Sequence, residues 1–187
     1  MERICIIIDG SNFYHRLKEM RLIRLLHFDY GAFADYLASK RGHTTKRYYI
    51  GAVREEENNP KSKILMRNQR KLVGYLQKHG WQIRFGTMLK TDGYHEKGVD
   101  VLMAVDLLVG AYENQYDTAI VVSSDTDLIP VFAKIRQMRK KVEYIGFSHK
   151  PSLGIITNSD IRRLLTANDC NQFLPADADA DDNNTGL

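Results

Sequence analysis

The chain has 187 residues, 43% of them hydrophobic and 27% charged. That size and balance describe one soluble globular domain with a sizeable core, and exclude a disordered or fibrous chain. Two cysteines, Cys5 and Cys170, are too few for a disulfide framework or a zinc site, and fit a reducing, cytoplasmic setting. The apolar run near the N-terminus covers only Ile4 to Ile8, too short for a signal peptide or a membrane span. Net charge is +4; setting aside the four aspartates of the base-free stretch 175–187 leaves +8 on residues 1–174. A basic body suits a polyanionic partner such as nucleic acid, or is simply that of a soluble basic protein.

Glu2 to Ile8 reads as a first buried strand ending in Asp9-Gly10-Ser11-Asn12, where Gly10 permits a sharp turn and Ser11 or Asn12 can cap a helix. The helix is predicted over about Phe13 to Leu26, with Leu17, Met20 and Ile23 on its buried face. Asp29 opens a second helix, Tyr30 to Lys40, stopped by Gly42, and Thr44 to Val53 forms a second strand. Arg54 to Pro60 is a polar loop, Lys61 to His79 a helix, and Trp81 to Gly86 a third strand. Thr91 to Lys97 reads as a loop, Gly98-Val99 opens a helix to about Tyr112, and Tyr116 to Val122 is a fourth strand. Asp127 to Arg139 is helical with Pro130 in its first turn, and Val142 to Ile145 is a fifth strand. Ser152 to Thr157 and Asp160 to Leu165 are short elements. Strands alternating with helices imply an α/β fold with a mainly parallel sheet covered on both faces. The domain is expected over residues 1–166, with an acidic extension over 167–187 that is disordered from about 175.

Carboxylates gather at the predicted element ends. The run Ala119 to Val122 stops at Ser123-Ser124-Asp125-Thr126-Asp127, and ligand sites in open α/β sheets lie at strand carboxyl ends. Asp9 follows the first strand in the same way. Asp100, in Lys97-Gly98-Val99-Asp100, opens a helix whose N-terminus faces that same rim. Each also has a bland reading as a helix cap or dipole partner. A cap accounts for only one of Asp125 and Asp127, and it suits Asp127 better. Carboxylates sharing a rim repel unless a cation neutralises them, and hard oxygen donors favour Mg²⁺ or Mn²⁺. Such ions serve phosphoryl chemistry. Asn12, Ser123 and Ser124 can orient the carboxylates, and Lys97 either contacts a phosphate or is a solvated loop lysine. Asp106 lies about 240° round the helix from Asp100, as a buried brace for the site or an exposed residue. The six histidines show no metal-binding spacing, and no glycine-rich phosphate loop occurs.

Basic residues Lys46, Arg47, Arg54, Lys61, Lys63, Arg67, Arg70 and Lys71 concentrate between the second strand and the next helix. Interleaved Tyr48 and Tyr49 could stack bases there. The bland alternative is a solvated helix face beside core tyrosines.

Asp9-Gly-Ser-Asn, Lys97-Gly-Val-Asp and Val121-Val-Ser-Ser-Asp-Thr-Asp, in that order and spacing, resemble the NYN domain, and more closely the LabA/DUF88 branch of the PIN-like nuclease superfamily, over roughly Met1 to Leu165. The resemblance implies a three-layer α/β/α sandwich with a mainly parallel five-stranded sheet of order 3-2-1-4-5. It implies a metal-dependent ribonuclease using Mg²⁺ or Mn²⁺, with RNA as partner and no membrane; a homodimer is left open. Asp9, Asp100, Asp125 and Asp127 match the family's acidic positions, Asn12 its asparagine, and Asp106 a frequent further acid. Ser124 stands where the family often has glycine, and Leu128 where it often has phenylalanine. Two other readings stay open: a non-catalytic RNA-binding or regulatory module, and a metal-dependent phosphatase with a closed pocket for a small molecule.

Overall fold

The computed structural model describes residues 2–53, 55, 59–90 and 94–175, with backbone alone for 43, 44, 87–90 and 94–97. Seven strands form one sheet: β1 (Arg3–Asp9), β2 (Gly42–Gly51), β3 (Gln82–Lys90), β4 (Tyr94–Lys97), β5 (Thr118–Val122), β6 (Lys141–Phe147) and β7 (Ile161–Leu165), in the order β4-β3-β2-β1-β5-β6-β7. All neighbours pair in parallel except β3 with β4. The helices are α1 (Gly10–Glu19), α2 (Tyr30–Ala38), α3 (Pro60–Lys78), α4 (Val99–Tyr112), α5 (Ile129–Gln137), α6 (Leu153–Asn158) and α7 (Ala167–Asn171).

The expected core order survives intact, since the five strands read from the sequence are β3-β2-β1-β5-β6. The sheet is wider than the five strands expected. β4 occupies part of the predicted loop 91–97 and β7 the short element 160–165. β1 lies at the centre, and a strand buried on both faces reads as continuous apolar sequence. Ile4, Ile6 and Ile8 pack on one side with α1, α2, α3 and α7; Cys5 and Ile7 pack on the other with α4, α5 and α6. Cys170 and Phe173 lie in the first of these cores, so the chain packs onto the domain beyond residue 166. The disorder expected from about 175 falls outside the described residues.

α1 ends seven residues short of its predicted limit at Leu26. Arg21 and Arg24 take φ of 60°, a left-handed conformation that breaks a helix without any glycine to announce it. Ile23, expected on the buried face, is therefore 69% exposed. Among the described residues, no helix is long and apolar enough to cross a membrane.

Candidate active site

β1 and β5 run side by side, Ile8 opposite Val122, so the next residues, Asp9 and Ser123, come side by side at one rim of the sheet. The period of two along a strand sends Asp9 and Ser123 to the face carrying Cys5, Ile7, Ala119 and Val121. That is the face covered by α4, whose first turn holds Asp100. The local hydrogen bonds interlock both chain segments. Asp9 Oδ1 accepts from the Asn12 N–H at 3.0 Å, so Asp9 is the N-cap of α1, in place of Ser11 or Asn12. Asp9 Oδ2 accepts from Ser123 Oγ at 3.1 Å, and Ser123 Oγ accepts from the Asp125 N–H at 3.2 Å. Asn12 Oδ1 accepts from the Ser124 N–H at 3.2 Å, and Ser124 Oγ lies 3.2 Å from the Tyr144 hydroxyl.

Asp125 Oδ1 accepts from the Asp127 N–H at 2.9 Å and caps the 3₁₀ turn Thr126–Leu128. The cap is thus Asp125, whereas the sequence favoured Asp127, which is exposed. Asp9 is 6% exposed. Burial raises its pKa above the ordinary carboxylate value, the Asn12 and Ser123 hydrogen bonds pull it back, and the Asp125 charge raises it again. Asp100 is also raised, by desolvation first and then by Asp125, Asp9 and Asp127. Asp125, Asp9 and Asp127 thus all lie close enough to Asp100 to disfavour its charged form.

Among the described residues, no group of three or more His, Cys, Asp or Glu stands at metal-binding spacing as the side chains lie. The donor chemistry nonetheless fits a hard divalent cation. All four groups are oxygen donors, and a carboxylate oxygen holding one cap hydrogen bond keeps a second lone pair.

Of these, Asp9 and Asp100 line an open cleft of about 480 Å³. Asn12, His15, Arg16 and Glu19 of α1 and Lys150 line it with them. The basic part of this lining was not foreseen, because Lys150 meets α1 only through the fold.

Asp106 stands apart. It is buried on α4, accepts from the Tyr49 hydroxyl at 2.7 Å and pairs with Arg84 at 2.8 Å, bracing α4 against β2 and β3. The side chains of Lys97 and Arg54 lie outside the described residues. The basic set does not converge on the cleft. Lys46 Nζ donates to the His79 carbonyl at 2.7 Å, and Arg47 reaches Gln82 and the Asp106 carbonyl. Lys61, Lys63, Arg67, Arg70 and Lys71 are exposed on α3, and none lines the cleft. Tyr48 and Tyr49 are 0% exposed and stack no base. An interior strand covered on both faces buries both members of a consecutive pair.

An α/β/α sandwich on a mainly parallel sheet of this strand order is consistent with a nuclease-type fold of the PIN-like kind. The chain belongs to the NYN domain family, whose model matches residues 3–161. A crystal structure of a protein of unknown function from Vibrio parahaemolyticus is similar, with TM-score 0.67 and 25% identity over 88% of this chain and 93% of that one. No curated protein sequence matches the chain significantly.

Proposed function

We propose that the protein is a divalent-metal-dependent ribonuclease. The observation that carries this reading is the meeting of Asp9, at the end of β1, with Ser123 and Asp125, at the end of β5, where Asp9 lines an open cleft together with Asp100. Asp9, Asp100 and Asp125 would hold Mg²⁺ or Mn²⁺, with Asp127 reaching it directly or through water. When bound, such an ion makes water a nucleophile near neutral pH and neutralises charge on the attacked phosphodiester.

The chain's own groups set the geometry. Ser123 fixes the Asp9 carboxylate through Oδ2. Asn12 ties the N-terminus of α1 to the Ser124 backbone, so the β1 and β5 halves of the site move as one. The cleft is open rather than closed, which suits a polymer strand better than a small phosphate ester.

The test incubates the protein with single-stranded RNA and Mn²⁺ beside Asp9→Asn and Asp125→Asn variants. Asparagine keeps a capping oxygen at both positions, so folding is preserved while negative charge is removed. Wild-type cleavage should fall at least ~100-fold in each variant, a loss equal to about 2.7 kcal/mol of transition-state stabilisation. Equal cleavage by all three proteins would sink the assignment. A second reading, an RNA-binding module without catalysis, draws on Asp9 and Asp125 being engaged in caps. It predicts salt-sensitive RNA binding with no product.

A further inference from the structure

The cleft lining carries both signs of charge. Further along α1 from Asp9, His15 and Arg16 come one turn beyond Asn12, and Glu19 a turn further. The turn after β6 brings His149 and Lys150 against Glu19. Arg16 lies 2.9 Å, His149 3.1 Å and Lys150 3.5 Å from the Glu19 carboxylate. Glu19 is held down to about 2 by Arg16, His149 and Lys150, so it stays ionised and clamps the basic groups together. Arg16 and Lys150 against one Glu19 leave this group at a net charge of +1 before either histidine protonates. The Arg16 side chain is only 16% exposed, so ordering it against a ligand costs little further entropy. Lys150, held at 3.5 Å by Glu19, is 63% exposed and open to a ligand.

We propose that Arg16 and Lys150, positioned by Glu19 and flanked by His15 and His149, form a phosphate subsite for single-stranded RNA. The subsite seats a backbone phosphate next to the one that faces the carboxylates. It rests on the ribonuclease reading for its substrate and moves the RNA track from α3 to this cleft. The spacing supports it: Arg16 lies four residues beyond Asn12 on the same helix face, an axial rise of about 6 Å. A strand following α1 along the cleft therefore meets carboxylates near Asn12, where a cation is needed, and positive charge one turn further on.

The probe is a fluorescent single-stranded RNA dodecamer, with binding read by anisotropy in Ca²⁺ across a salt series. Lys150→Glu and Arg16→Gln should each weaken binding about tenfold and lower the log K against log salt slope by ~0.7 per lost contact. Arg16→Lys should recover most of the affinity. A charge-matched Lys134→Glu, on exposed α5 surface, should bind like wild type. Melting curves confirm that each variant is folded. Unchanged binding in Lys150→Glu and Arg16→Gln overturns the subsite, as does an equal loss in Lys134→Glu or no binding by wild type. The two readings separate cleanly. Weakened binding in a protein that cleaves nothing with Mn²⁺ keeps the subsite and removes the nuclease. Cleavage with unaffected binding does the reverse.

Discussion

Replacing Asp106 with alanine separates a brace from a member of the reacting site. Three hydrogen bonds would go: one from the Tyr49 hydroxyl at 2.7 Å and two from Arg84 at 2.8 and 2.9 Å. Tyr49 is 0% exposed, so its hydroxyl would lose its acceptor with no water to replace it, at about 1–3 kcal/mol. The Arg84 side chain is 42% exposed, so solvent replaces most of what it loses, leaving about 0.5–1 kcal/mol. The total, roughly 2–4 kcal/mol, lowers the melting temperature by roughly 5–15 °C in a chain of this size. Tyr49→Phe in the Asp106→Ala background removes the stranded hydroxyl and should recover about 1–2 kcal/mol. Thermal and urea denaturation read both effects. RNA cleavage by the folded fraction, assayed well below the lowered transition, should stay near wild type. An unchanged melt, or a tenfold loss of cleavage in folded protein, would refute the bracing role.

Three further outcomes are expected. A Cβ on Gly10 would collide with the Tyr48 ring, meeting Cε1 and, at 2.7 Å, Cζ, and Tyr48 is fully buried. Gly10→Ala should therefore destabilise by about 1–3 kcal/mol in urea melts despite alanine's better helix propensity; a neutral result would show that Tyr48 can yield. Ser123→Ala removes the donor to Asp9 and the acceptor of the Asp125 N–H, and should cost about 1–3 kcal/mol. A melt within error of wild type would count against that network. The raised pKa of Asp100 gives a stability contribution fully present below the unfolded carboxylate value, about 3.9, and lost as pH rises through the folded value. Asp100→Asn should thus melt above wild type at pH 7 in EDTA, by less than about 1 kcal/mol because the side chain is open to solvent. The two should converge near pH 4, and a variant less stable at pH 7 would contradict the repulsion at the rim.

The central strands were legible because each is an apolar run that stops at a carboxylate or a glycine. β1 and β5 announce themselves, and their shared rim follows from parallel pairing. β4 was not legible: Tyr94-His95-Glu96-Lys97 has no apolar run, because it pairs only with β3 at the sheet's edge. β7, with Arg162 and Arg163 in its middle, hides for the same reason. Its arginines suit an edge, and Arg163 pairs with buried Glu143 at 2.6 Å. The acidic half of the site could be read because Asp9, Asp100 and Asp125 each stand at an element end. The basic side chains of the cleft could not, because His149 and Glu19 are 130 residues apart in sequence. The α3 cluster was legible as a run of charges along the chain, but nothing in the sequence says that none of them lines the cleft.

The central position of β1 has a consequence for how the molecule comes into being. β1 leaves the ribosome first, yet its partner β5 begins only at Thr118. At ordinary synthesis rates roughly 6–20 s pass between the two. Throughout that interval the isoleucine run Ile4–Ile8 has β2 on one side and nothing on the other. Long-range pairing of this kind slows folding and exposes a sticky strand edge. Asp9 meets Ser123 and Asp125 only when that edge closes, so the acidic rim is assembled only after β5 has been made. A product stalled before Val122 would carry half of the rim and the open edge of its own core.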